Sequence, residues 1–260
     1  MTRRMNILVG AVVLLGMTTL ARSADAPELG ILSGYGAIAS DYRFRGISQS
    51  NRAWAPQAQL NWSISDGYYA GTWISKTNWN GLAGKLDHSP TYEVDLYAGK
   101  HFDLGGSDLN VEAYYYAYPD ARPSVFGTTK PASYAEGIFQ LSHTFGTLAL
   151  TATGAVSPEL SFGGGTGGYV EGTASYPLAD WLTLSGNIGH QWAQNAPSDY
   201  SHLDLGLTAT WRNWSLDIRG SGTDLNRIDC LYYVNSKNAC TTGLAGILTY
   251  TVPNVFGLLN

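Results

Sequence analysis

Among the residue types able to do chemistry, the carboxylates Glu93, Asp95 and Glu171 stand out, the first two at a spacing of two residues. Paired acids can divide the work of a general acid and a general base, but only within a site that also supplies a nucleophile or an orienting partner. Asp87, His88 and Ser89 are consecutive, and consecutive residues seldom reach the mutual hydrogen-bond geometry of a triad. No GxSxG turn occurs, and His101, His143, His190 and His202 are scattered, each reading as a polar strand residue rather than a catalyst or ligand. The run Gly163-Gly164-Gly165-Thr166-Gly167-Gly168 lacks the Lys and Ser/Thr of a phosphate loop and leads into YVEGTASY, a strand pattern where a helix would be needed; it reads as a mobile external loop. These residues therefore predict no enzyme, no cofactor and no metal centre.

The elements that carry them explain the spacing better. In Gln57 to Ile64, Ala58, Leu60, Trp62 and Ile64 alternate with Gln57, Gln59, Asn61 and Ser63. In Tyr92 to Gly99, Val94, Leu96 and Ala98 oppose Glu93 and Asp95; in His202 to Trp211, four aliphatic residues and Trp211 oppose His202, Asp204, Thr208 and Thr210. A period of two is the signature of a strand with one apolar face. About twelve strands are predicted, near 33–45, 55–64, 68–76, 91–102, 109–118, 134–145, 147–157, 168–177, 181–192, 200–211, 214–222 and 243–252. Short turns alternate with loops of roughly ten to twenty residues, so the two kinds of connection emerge at opposite ends. That asymmetry belongs to outer-membrane barrels.

Composition agrees. Only 13% of the 260 residues are charged, against 44% hydrophobic, whereas a soluble surface is about a quarter to a third charged. With 17 Tyr, 8 Trp and 7 Phe the chain is not a disordered one, and a net charge of −5 has the wrong sign for nucleic acid. Tyr42, Phe44, Trp54, Tyr68, Tyr69, Trp181, Trp211 and Trp214 fall near predicted strand ends, where membrane barrels carry aromatic girdles; the competing reading places them in the core of a soluble β-sandwich. Residues 1–23 read as a cleaved export signal, with Arg3 and Arg4 before the apolar run Ile7 to Leu20, and 24–260 as the barrel domain. Cleavage there would take the net charge to −8. The expected class is thus an all-β, antiparallel, up-and-down transmembrane barrel in contact with outer-membrane lipid.

The segment Ser40-Asp41-Tyr42-Arg43-Phe44-Arg45-Gly46-Ile47-Ser48-Gln49-Ser50, followed by EVDLYAG at Glu93 to Gly99, resembles the TorF-family porins of proteobacteria, over most of the chain after the export signal. The resemblance implies an outer-membrane barrel with a transport role and no assigned catalytic residues. One departure is the end of the chain: many outer-membrane barrels finish on an aromatic residue recognised during assembly, while this sequence runs past Tyr250 and Val252 to Gly257-Leu258-Leu259-Asn260. Cys230 and Cys240 lie in the loop between the last two strands. An oxidising compartment would join them, the alternative being free thiols, and the absence of His nearby disfavours zinc.

If the apolar faces meet lipid, the interior receives Glu93, Asp95, Glu112, Glu136, Glu171, Asp204 and Asp217 against Arg43, Arg45 and Arg219. The expected pore passes small hydrophilic solutes and prefers cations, with the arginines on one wall facing the acids of the middle strands. The alternative is a structural or adhesive barrel whose charges pair into a network and close the interior, leaving the external loops to bind.

Overall fold

The computed structural model of the chain describes residues 30–79, 89–122 and 128–256. The export signal at 1–23, Asp87, His88 and the terminal Gly257 to Asn260 lie outside the described residues. The chain forms β1 (Ile31–Ala39), β2 (Arg43–Phe44), β3 (Ile47–Ser48), β4 (Ala55–Ser63), β5 (Tyr68–Lys76), β6 (Tyr92–Asp103) and β7 (Ser107–Ala117). It continues through β8 (Tyr134–Phe145), β9 (Leu148–Ser157), β10 (Gly167–Ala179), β11 (Leu182–Ala193), β12 (Tyr200–Trp211), β13 (Trp214–Thr223), a short helix α1 (Cys230–Val234) and β14 (Gly243–Val252). Twelve of the strands close into an antiparallel barrel in the order β1-β14-β13-β12-β11-β10-β9-β8-β7-β6-β5-β4, and β2 pairs only with β3.

The barrel is inside out relative to a soluble sandwich. Along β12, Leu203 and Leu205 are 62% and 60% exposed, while His202, Asp204 and Thr208 between and beyond them are buried. An apolar exterior around a polar interior is the arrangement that a bilayer requires of strands, since closure leaves no edge unpaired. Trp54, Tyr68, Trp181, Trp211 and Trp214 face outward at strand ends, as a girdle should. Among the described residues no helix is long and apolar enough to cross a membrane.

Connections at one end are the turns 64–67, 104–106, 146–147, 180–181 and 212–213; those at the other are 40–54, 77–91, 118–133, 158–166, 194–199 and 224–242. The alternation is as expected, although 194–199 is shorter than the sequence suggested. The glycine-rich run is tied to its neighbours by hydrogen bonds. The Leu160 N–H donates to the Gly165 carbonyl at 2.8 Å, Phe162 to Pro131 at 2.8 Å and Asn195 to Gly164 at 3.0 Å. Glu159 accepts from the Gly165 N–H at 2.9 Å and meets Lys130 at 3.3 Å; these bonds hold its carboxyl below the usual range.

The main departure concerns the first strand. It was expected to run to residue 45 but leaves the wall at Ala39, whose register partner on β4 is Ala55. Ser40 still donates its N–H to Gly246 of β14 at 2.8 Å, and residues 41–50, all buried or half-buried, then turn into the barrel. Tyr42, Phe44 and Tyr69, expected in the girdle, belong to the interior: Tyr42 and Tyr69 are buried, and Phe44 packs edge-on against Tyr116 with centroids 5.5 Å apart.

Candidate functional site

The inward segment is built by a tight hairpin. Arg43 pairs with Ser48 and Phe44 with Ile47, leaving Arg45 and Gly46 as the turn, at φ +48° and +81°. Two successive positive φ values are what a two-residue turn of matching twist demands. Gly46 is also placed where a side chain has no room: an added Cβ would lie 2.6 Å from His202 Cβ and 2.8 Å from Thr223 Cγ2. The hairpin tip thus presses against the inner wall at β12 and the end of β13, two to three strands round the ring from β1.

Arg45, at that tip, is gripped by the wall. Its Nη1 and Nη2 donate to Glu136 Oε1 and Oε2 at 2.9 and 2.6 Å, and Nη1 also to Gln191 Oε1 at 2.6 Å. The guanidinium lies 3.9 Å from the Tyr169 ring centroid and 4.7 Å from that of Phe44. A two-pronged pair between side chains only 7% and 2% exposed, with an aromatic face alongside, is the strong form of this interaction. Tyr116 donates to Glu136 Oε2 at 3.2 Å and completes the acceptor's surroundings.

Arg43 anchors the base of the hairpin. Its Nε pairs with Asp41 at 2.8 Å, and its Nη1 reaches the carbonyls of Gly46, Ser221 and Thr241. Asp41, which the sequence did not single out, also accepts from Ser48 at 2.5 Å and Ser50 at 3.2 Å. Tyr42 donates to Glu93 Oε2 at 3.3 Å and packs edge-on against Trp73. Outside the hairpin, Arg52 donates to the carbonyls of Asn238 and Thr241, so the first and last loops grip each other. The last loop is itself closed by a Cys230–Cys240 disulfide.

Glu93, Asp95, Glu112, Glu171, Asp204 and Asp217 lie on wall strands and are all buried. Asp204 and Asp217 flank Arg219: Arg219 Nη1 bonds Asp204, Nε meets Asp217 at 3.2 Å, and Nη2 reaches Ser185 at 2.8 Å. Asp95 accepts from Tyr114 at 2.8 Å and Glu112 from Tyr69 at 2.5 Å. Glu171 accepts from Tyr169 at 2.7 Å, and the same hydroxyl lies 2.7 Å from His202 Nε2. The expectation of arginines on one wall facing acids across the interior is corrected here. Arg45 has crossed to Glu136, and Arg219 is flanked by acids of its own wall, because a buried guanidinium is costly without a carboxylate in contact.

Sequence reasoning also missed a column of tyrosines. Tyr97 and Tyr114 stack at 5.4 Å between centroids, Tyr114 and Tyr116 lie at 4.6 Å, and Tyr116 and Tyr134 at 4.5 Å. The usable signal was Tyr114-Tyr115-Tyr116: on a strand the middle ring must point away from its neighbours, and Tyr115 does face outward. Tyr97 and Tyr69 each lie across a glycine of the adjacent strand, Gly71 and Gly99, which gives the rings room to lie close to the wall.

A closed twelve-strand barrel with lipid-type exterior, aromatic girdle and charged interior defines an outer-membrane barrel of porin architecture. The fold is similar to the KdgM porin, at TM-score 0.55 and 7% identity over 85% of this chain and 98% of that one. It is also similar to the COG4313 outer membrane channel from Pseudomonas putida F1, at TM-score 0.51 and 10% identity over 90% and 99%. A second KdgM structure, in complex with disordered oligogalacturonate, matches at TM-score 0.54 and 7% identity over 85% and 98%. No curated protein matches the sequence. The chain belongs to the Gcw_chp family, described as bacterial protein of unknown function, whose model matches residues 24–252.

Proposed function

We propose that this protein is a gated outer-membrane channel of the TorF-porin type for small hydrophilic solutes, closed by the hairpin 43–48 in the state described. The observation that carries the reading is the Arg45–Glu136 pair: a loop held across a barrel by side-chain contacts, rather than by ladder hydrogen bonds to the wall, can leave without unmaking the barrel. Residues 1–23 direct export and are removed; the short-turn end faces the periplasm and the long loops face outward. Glu93, Asp95, Glu112, Glu136, Glu171, Asp204, Asp217, Arg43, Arg45 and Arg219 line the conducting path. The acids outnumber the arginines, so the open pore prefers cations. The chemistry is passage rather than catalysis, and the similarity in fold to channels supports that choice.

A second reading, a structural or adhesive barrel, draws on an open cleft of about 600 Å³ at the long-loop rim, lined by Thr166, Trp192, Gln194, Ser198 and Asp199. Planar-bilayer recording of the purified protein separates the two. Discrete conductance steps, brief in the wild type and long-lived once the hairpin is released, fit the channel. Silence of both forms after verified insertion leaves the structural reading.

A further inference from the structure

Arg45 is held as a bound ligand would be. Its two terminal nitrogens are spanned by Glu136, one of them also by Gln191, and a Tyr169 ring lies alongside the guanidinium plane. Its Nε, by contrast, makes no hydrogen bond among the described residues. The wall therefore recognises the outer fork of a guanidinium and leaves the substituted nitrogen, where the rest of an arginine or of any alkylguanidine begins, unengaged. Glu136, Gln191 and Tyr169 come from three different barrel strands, β8, β11 and β10, and none belongs to the hairpin. The cradle consequently stays on the wall when the hairpin leaves.

We propose that this cradle is a binding site for solutes bearing a monosubstituted guanidinium, and that Arg45 is its resident occupant in the closed state. The inference deepens the channel reading and rests on it for its role in transport, since a solute entering the cradle competes with Arg45 and favours the open barrel. A planar fork meeting a carboxylate two-pronged discriminates by shape as well as charge, so an ammonium of equal charge fits less well. In the wild type the tethered Arg45 competes at high effective concentration, which masks the site.

Calorimetric titration of detergent-solubilised R45A with methylguanidinium and with methylammonium tests the proposal without reference to conductance. Saturable binding of methylguanidinium is expected, at least about tenfold tighter than methylammonium and than methylguanidinium binding to wild type, and weakened at least about tenfold by adding E136Q. Absence of saturable binding, equal binding of the two cations, or indifference to E136Q overturns it. R45K keeps the positive charge but loses the fork; it carries the same titration if R45A does not assemble, with the same outcomes deciding. Binding without conductance would retain the cradle and remove the channel; conductance without binding would do the reverse.

Discussion

Ser48, on the inward hairpin, donates its backbone N–H to the carbonyl of Ala239 at 2.9 Å, next to disulfide-bonded Cys240. The covalent constraint on the last loop thus reaches the hairpin through one residue and one hydrogen bond. Reduction of Cys230–Cys240 should leave the barrel intact, because no wall strand carries either cysteine. Amide exchange in 41–52 should quicken by about tenfold or more as the last loop gains freedom. Hydrogen-exchange mass spectrometry with and without reductant reads this, and unchanged exchange would show that the loop keeps its shape without the bond.

Removing the pin should open the barrel. R45A leaves Glu136 buried without its cation, at a cost of about 3–5 kcal/mol to the closed arrangement, enough to raise the open fraction by about a hundredfold or more. E136Q should act in the same direction. Bilayer recordings giving the same open probability for wild type and both variants would mean that this pair does not hold the gate.

Gly46 tests the hairpin without touching a charge. G46A meets both an unfavourable positive φ, worth about 1 kcal/mol, and the His202 and Thr223 side chains. The tip must withdraw, so the variant should conduct more like R45A than like wild type while the barrel remains folded. A closed, wild-type-like G46A would place the tip elsewhere in solution.

Selectivity should depend on Glu93 and Asp95, which form no ion pair with an arginine among the described residues. Glu93 and Asp95 accept from Tyr42 and Tyr114, while Glu136, Asp204 and Asp217 are tied to arginines. Replacing both by Gln and Asn should reduce the cation preference of the opened R45A channel, read as a reversal potential under a salt gradient. Anion selectivity of the starting channel, or no change on replacement, would remove these carboxylates from the permeation path.

On the outside, Leu205 is 60% exposed midway along β12. L205R should cost about 2–4 kcal/mol in a bilayer, lowering the urea midpoint of the vesicle-inserted barrel. A neutral result would argue that this face does not meet lipid.

Much of the wall was legible because the bilayer imposes period two on both faces at once: lipid selects Leu203 and Leu205, and the interior accepts His202 and Asp204. The inward segment was not legible for a related reason. Tyr42, Arg43, Phe44 and Arg45 alternate as a wall strand would, and β2 is indeed a strand, but it pairs with β3 rather than with the wall. Periodicity reports that neighbouring side chains diverge without reporting which surfaces receive them. The available clue was Gly46, one residue past the expected strand end at 45, followed by Ile47-Ser48, which pair back onto Phe44 and Arg43. The partners of the interior charges were likewise out of reach, because Arg45 meets Glu136 and Gln191 only after the chain has closed into a ring.

Ala39 and Ala55 face each other across a single rung of the β1–β4 ladder. The whole excursion between them begins and ends at one point on a wall already complete without it. The hairpin is therefore a detachable module in the architectural sense: a short turn could bridge that rung, and every strand would keep its neighbours and register. In the channel proposed above, mutations between residues 40 and 54 would alter what the barrel admits without requiring the cylinder to be redesigned, so permeability and assembly would be free to change independently.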